Sequence, residues 1–174
     1  MQTLDLIGWL AVRVALGYVY LLALYKNTVP AGAWKWTVDH TAYMFAKVPE
    51  PRRTSLAKLF AVAGMAMMLL GGLSVLLGIE GRLGALLLLV FTVGGVYSHK
   101  REREVAMELA QKVSPLVPSA GKDDFTTLQW SAFSGHYSSG LKNWALCGIC
   151  VGIICWGTGP DSITISDRII HLFY

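Results

Sequence analysis

The stretch LLGIEGRLGALLLLV, residues 76–90, decides the fold because it joins two long apolar runs with almost no connection. The run before it, residues 59–78, contains no charged residue, and the run after it extends from Arg82 to His99. Roughly 20 apolar residues in a helix cross the hydrocarbon of a bilayer. Because the connection GIEG, 78–81, is so short, the two helices must be antiparallel neighbours. The sequence therefore predicts a transmembrane helical hairpin.

Two further apolar runs complete the membrane pattern. One covers residues 4–25 and is interrupted by Arg13, and the other covers residues 141–157. Apolar residues make up 54% of the chain and charged residues 15%, whereas soluble domains carry about 25% charged residues. We predict an all-α integral membrane four-helix bundle, a single domain over residues 1–174 with spans at about 4–25, 57–78, 82–99 and 141–157. Residues 1–5 lack the basic region of a signal peptide, so the first run is expected to be retained.

Basic residues concentrate in the two long polar connections, 26–58 and 98–142. They are Lys26, Lys35, Lys47, Arg52, Arg53, Lys58, Lys100, Arg101, Arg103, Lys112, Lys122 and Lys142. Only Arg82 and Arg168 lie on the opposite side of the predicted membrane. The positive-inside rule then places both connections in the cytoplasm and both termini outside. The expected location is the inner membrane of a bacterial or archaeal cell, crossed several times.

The connections and the tail are expected to carry short helices at the membrane surface. AWKWTVDHTAYMFAKV, 33–48, interleaves aromatic and polar residues as interfacial helices do. HKREREVAMELAQKV, 99–113, reads as a solvated helical extension of the third span, and this is favoured over a nucleic-acid site. FTTLQWSAFSGHY, 125–137, is expected to return to the interface. After the break at Gly157 and Gly159, Ser166 is expected to cap a short C-terminal surface helix.

Arg13 is the most informative single residue, because a charge inside a span costs about 2.5–3.5 kcal/mol at the bilayer centre. An assembly role with hydrogen-bonded partners is favoured over a substrate site, and simple snorkelling to the interface comes last. Counting inward from the outer ends places Thr92 and Cys147 at a similar depth. We therefore expect Thr92 and groups on the fourth span to bond Arg13.

All three cysteines lie in the fourth span. Cys147 and Cys150 have the spacing of a redox pair and share one helix face. Cysteine is also a small apolar residue, and Gly148-x-x-x-Gly152 beside the pair indicates close helix packing. Packing is the favoured reading, and redox activity of Cys147 and Cys150 stays open.

Three histidines, His40, His99 and His136, lie on the predicted cytoplasmic side, where they could meet near a quinone head group or a metal. No two are spaced as helical ligands, and we find no carboxylate–histidine motif beside them. No metal site is therefore predicted. The candidate cofactors are a quinone or a lipid, with no covalently bound group, and hydrogen bonding at the interface is the favoured use of the histidines.

The whole transmembrane pattern resembles the DoxX family of small four-helix membrane proteins, including the DoxD-type subunit. The resemblance lies in RVALGYVYLLALYK (13–26), in LLGIEGRLGALLLLV (76–90) and in KNWALCGICVGIICWGTGPDSITISDRII (142–170). It implies a four-helix fold and a link to thiosulfate:quinone oxidoreductase, which passes electrons from thiosulfate to quinone. It also implies that four positions matter for intramembrane or assembly contacts: Arg13, Arg82, Asp167 and Arg168.

Three functions follow from the sequence and this resemblance. The first is an accessory subunit that stabilises a larger respiratory, photosynthetic or oxygenase membrane complex by helix packing, with other membrane subunits and lipids as partners and no nucleic acid. The second is a quinone-linked membrane oxidoreductase subunit of the DoxD type, with a polar cavity near Arg13 or the three histidines. The third is a small transporter or lipid-binding protein. The sequence leaves open whether the chain has an activity of its own.

Overall fold

Five helices account for nearly all of the chain in the computed structural model, which describes residues 2–159 and residue 163. They are α1 (Gln2–Thr28), α2 (Ala33–Ala42), α3 (Arg52–Leu77), α4 (Gly81–Val113) and α5 (Lys122–Trp156). One 3₁₀ turn follows α2, and two more separate α4 from α5. No strand occurs in this part of the chain. α1, α3, α4 and α5 are each long and apolar enough to cross a membrane. The predicted all-α membrane bundle is confirmed.

A tight turn joins α3 to α4 and defines one end of the bundle, which we call the hairpin end. Gly78 ends α3 in the left-handed region at φ 70°, and Glu80 follows at φ 51°. Ser74 donates its hydroxyl proton to the carbonyls of Ile79 and Glu80, which closes the turn. Ile163 lies alongside: its N–H donates to Gly78 at 2.8 Å, and its carbonyl accepts from Glu80 at 2.9 Å.

The opposite end, which we call the connection end, holds α2 and the parts of α4 and α5 that extend beyond the apolar spans. α4 has 33 residues and α5 has 35, so each is about 50 Å long, against about 30 Å of hydrocarbon. The predicted helical extension at 99–113 is confirmed. Residues 125–137, which are expected to return to the interface, form the first half of α5 and pack along the extension of α4.

Apolar packing holds the four long helices together around one main cluster. Its buried members come from every long helix: Leu16, Tyr20, Met68, Val75, Ala85, Leu88, Cys150 and Ile153. A smaller cluster of Val38, Ala57 and Ala61 fixes α2 against α3 at the connection end. The C-terminal surface helix predicted after Ser166 lies outside the described residues.

Candidate functional site

At the connection end, the carboxylate of Glu102 is buried among side chains from three helices. With 5% of its surface exposed, Glu102 is the one charged residue that is buried in the described part of the chain. His99 lies three residues before it on α4, His40 comes from α2, and His136 comes from α5. We call Glu102 and these three histidines the His–Glu cluster. The structure therefore brings the three sequence-predicted histidines together, around a residue that was not predicted.

The two oxygens of Glu102 have different neighbours. Oε1 accepts a 2.6 Å hydrogen bond from the hydroxyl of Ser98 and lies 2.6 Å from Nε2 of His40. Oε2 lies 3.2 Å from Nδ1 of His99 and 2.9 Å from Nδ1 of His136. Each carboxylate oxygen thus faces two groups that can donate to it, and such donors favour the ionised carboxylate.

The positions of these groups follow from helix geometry. Ser98, His99 and Glu102 share one face of α4 because they are three or four residues apart. The antiparallel α5 places His136 beside that face, and the rings of His99 and His136 are 5.9 Å apart. His40 is held by stacking on Trp36, with ring centroids 4.5 Å apart. Between 25% and 30% of each histidine side chain remains exposed, so the cluster can be reached from solvent.

Sequence reasoning missed Glu102 because the segment around it has the composition of a solvated helix. The statement that no carboxylate–histidine motif accompanies the histidines is wrong, since His99 and Glu102 stand three residues apart on α4. That spacing, with Ser98 one turn before Glu102 on the same face, was the signal in the sequence. It was obscured by the neighbouring charges Lys100, Arg101 and Glu104.

Arg13 lies at the hairpin end and contacts the end of α3. Its Nη2 donates a 3.2 Å hydrogen bond to the carbonyl of Leu76, and its guanidinium packs against the backbone of Gly78. The last carbonyls of a helix lack partners within the helix and attract a cation. Nε of Arg13 has no hydrogen-bond partner within the described residues. The expected bond from Arg13 to Thr92 is wrong, because the long arginine side chain reaches toward the helix end.

Thr92 instead belongs to a hydrogen-bonded pair inside the bundle. It is 1% exposed, donates to the carbonyl of Leu88 and accepts from the hydroxyl of Tyr20 on α1. Tyr20 in turn packs with Cys150 of α5 in the main cluster. Thr92 therefore links α1 to α4 through hydrogen bonds that leave neither hydroxyl unsatisfied.

The other predicted site residues are spread over both ends of the fold. Arg82 is exposed near the start of α4, with its Nε beside Gly157 at the end of α5. Asp167 and Arg168 lie outside the described residues. Cys147 and Cys150 are buried with free thiols, and Cys155 is exposed. Gly148 does not mediate packing within this chain, because no atom lies within 4 Å of where its Cβ would be.

Comparison with known families gives one match, to the DoxX family model over residues 8–101, a little over half of the chain. The chain belongs to the DoxX family. Neither the search of curated proteins nor that of solved structures found a match.

Membership of the DoxX family agrees with the sequence motifs and with the four candidate spans. The matched region covers α1, α2, α3 and the part of α4 up to Arg101. It includes Arg13, His40, Thr92 and His99. Glu102 is the first residue beyond the match, and His136 lies further along the chain in α5. The His–Glu cluster is therefore assembled across the boundary of the DoxX match.

Proposed function

We propose that this DoxX-family chain is an accessory subunit of a larger membrane complex that handles electrons, and that it binds a neighbouring subunit through α5. The proposal includes the orientation expected from the basic residues, with the connection end in the cytoplasm. One observation carries it: a regular row of exposed side chains that runs along α5.

The row repeats every seven residues, with alternating steps of four and three. Its larger members are mostly aromatic, and it is completed by smaller ones: Trp130, Ser134, Tyr137, Leu141, Trp144, Gly148, Val151 and Cys155. All eight are exposed. We call this row the α5 seam. Such a spacing is that of the contact positions in a helix pair, where a side chain of one helix inserts between those of another.

The composition of the seam suits a partner helix. Trp130, Tyr137 and Trp144 are 65%, 50% and 63% exposed, and small residues between them leave space for inserted side chains. In lipid, no hydrophobic force drives helices together, because the lipid tails are as apolar as the side chains. Helices there associate through close packing at small residues. Lipid contact explains exposure in the apolar half of α5 but not in its other half, where Trp130 and Tyr137 precede the apolar run at Leu141. A partner that follows α5 out of the membrane covers both halves.

The electron-handling part of the proposal has two supports. The resemblance to the DoxD-type subunit connects the family with transfer of electrons to quinone. The His–Glu cluster adds imidazole and carboxylate groups at the edge of the apolar spans, where a membrane redox complex needs proton donors and acceptors. The partner expected for the α5 seam is therefore a subunit that carries a haem, a flavin or an iron–sulfur cluster.

Purification of the tagged full-length chain from its native membrane in a mild detergent tests this function. We expect co-purification of cofactor-bearing subunits, and their loss when Gly148→Leu fills the α5 seam. Gly94→Leu is the matched control, because Gly94 on α4 also has open space at its Cβ position but lies off the seam. Recovery of a lone 19.0 kDa chain, or retention of all partners by Gly148→Leu, would contradict the proposal.

A second candidate, a quinone-linked oxidoreductase subunit with its own site, is favoured by the position of the His–Glu cluster. Quinone reduction takes up protons as well as electrons, and an imidazole together with a carboxylate can deliver them. Under this function, Glu102→Gln lowers quinol formation by the purified complex at least tenfold and leaves its subunit composition intact. The matched control is Glu104→Gln, since Glu104 lies on α4 beside Arg101 with 41% of its side chain exposed, against 5% for Glu102. Equal turnover of both variants would exclude the second candidate.

A further inference from the structure

The atoms around Oε2 of Glu102 are arranged as the donor atoms of a metal site. We infer that the His–Glu cluster binds one divalent transition-metal ion, with Nδ1 of His99, Nδ1 of His136 and Oε2 of Glu102 as its protein ligands. This inference concerns the isolated chain and does not depend on the function proposed for the α5 seam.

The separations between the three donor atoms support a shared ion. Oε2 lies 3.2 Å and 2.9 Å from the two Nδ1 atoms, and all three donors are within 4.8 Å of one another. Ligand bonds of about 2.1 Å place neighbouring donors about 3.0 Å apart at right angles and about 3.4 Å apart in a tetrahedron. The two separations from Oε2 therefore match coordination spacing. Binding requires each Nδ1 to present its lone pair, which it does when the proton is on Nε2.

The other oxygen of Glu102 is held by groups that orient the carboxylate. Oε1 accepts from Ser98 at 2.6 Å and lies 2.6 Å from His40, whose ring is fixed by stacking on Trp36. Metal-binding carboxylates in proteins are commonly held by such outer hydrogen bonds, and removing an outer partner typically weakens binding about 10–100-fold. Ser98 and His40 therefore act as positioning residues, each through Glu102.

The donor set selects the class of ion. Two imidazoles and one carboxylate suit Fe²⁺, Zn²⁺, Co²⁺ or Mn²⁺, whereas Mg²⁺ and Ca²⁺ prefer oxygen donors throughout. The two buried thiols are not part of this donor set, because they belong to the membrane part of α5, where Cys150 packs in the main cluster. Three protein ligands leave further coordination positions open toward the exposed sides of the histidines. A site of this kind can take water or an oxygen-bearing substrate as an additional ligand.

The test is a titration of the full-length chain, without a histidine tag, in detergent micelles with Co²⁺. We expect visible d–d absorption that saturates at one Co²⁺ per chain and is displaced by Zn²⁺. Glu102→Gln and His136→Gln should weaken binding at least a hundredfold, and His40→Gln about tenfold. Glu104→Gln, which removes a half-buried carboxylate on the same helix outside the His–Glu cluster, should bind as the parent chain does.

Circular dichroism checks the helix content of each variant. If Glu102→Gln fails to fold, His136→Gln still decides the test, because His136 is only half-buried and its replacement disturbs packing less. The inference is overturned if the parent chain shows no saturable d–d bands. It is also overturned if folded His136→Gln binds Co²⁺ as tightly as the parent, which would indicate surface chelation only. The titration uses the isolated chain in micelles, which contain no partner subunit. Its result therefore does not depend on whether the α5 seam binds a partner in the native membrane.

Discussion

The two ends of the bundle are held together in different ways. At the hairpin end, helices touch through their backbones: a Cβ on Gly71 would lie 2.8 Å from the carbonyl oxygen of Gly84, and one on Gly17 would lie 3.1 Å from that of Gly72. The charge of Arg13 is satisfied there by a backbone carbonyl. At the connection end, the buried charge of Glu102 is surrounded by four polar side chains from three helices.

This difference separates the part of the chain built for stability from the part available for chemistry. Backbone contact through glycine maximises packing between helices in an apolar solvent, and it leaves no side chain free to act on a ligand. A buried carboxylate with its donors costs desolvation energy and contributes less to stability than apolar packing of the same volume. The His–Glu cluster is therefore a weaker source of stability than the backbone contacts, and substitutions at the two ends should fail in different ways.

The largest effect is expected from filling the backbone contact between α3 and α4. Gly71→Leu places a side chain against the carbonyl of Gly84 and against Leu88, which itself is fully buried. Because backbone cannot move aside as a flexible side chain does, we expect the free energy of unfolding to fall by about 3 kcal/mol. Denaturant unfolding in mixed micelles, followed by circular dichroism, measures it.

Gly94→Leu provides the control for Gly71→Leu. Both glycines lie in apolar spans, but Gly94 has open space around its Cβ position. We expect its free energy of unfolding to change by less than about 0.5 kcal/mol. A similar loss in both variants would mean that added side-chain volume at any position of a span, rather than contact between backbones, causes the loss.

A smaller effect on stability is expected at the connection end, with a local consequence that Gly71→Leu does not share. Glu102→Gln removes the charge that holds His40, so α2 loses its tie to α4. We expect a loss of about 2 kcal/mol in the free energy of unfolding. Amide hydrogen exchange in α2, Ala33–Ala42, should accelerate more than exchange at the hairpin end.

Glu104→Gln should leave both quantities within error, since Glu104 and its partner Arg101 are both partly open to solvent, where an ion pair contributes little. Uniformly faster exchange across the whole bundle in Glu102→Gln would contradict a local role for the cluster.

The helices and the hairpin could be predicted from the sequence because they depend on local properties, namely the lengths of the apolar runs and the short turn at 78–81. The His–Glu cluster could not, because it unites α2, α4 and α5 and so depends on tertiary packing. The continuity of α5 was also missed: the sequence prediction treats 125–137 and 141–157 as separate elements, and Gly135 and Gly140 between them have low helix propensity. Packing of this half of α5 along α4 outweighs that local preference.

The smallest effect is expected from removing Arg13, the charged residue within the first span. Arg13→Met removes a charged hydrogen bond to Leu76, which contributes about 1.5 kcal/mol. It also removes a partly buried charge, whose cost of about 2.5–3.5 kcal/mol at the bilayer centre is lower at the hairpin end. Because the loss and the gain nearly cancel, we expect a net change within about 1 kcal/mol in the unfolding measurement used for Gly71→Leu.

Arg82→Met, at an exposed arginine of the same end, should change the free energy of unfolding by less than about 0.5 kcal/mol. A loss in Arg13→Met as large as that in Gly71→Leu would show that the arginine is a main support of the hairpin end. The hairpin end would then depend on a buried charge as the connection end does, and the contrast between backbone packing and side-chain bonding would no longer hold. A small change would instead confirm that Arg13 is tolerated there because Leu76 and the backbone of Gly78 receive its guanidinium at the end of α3.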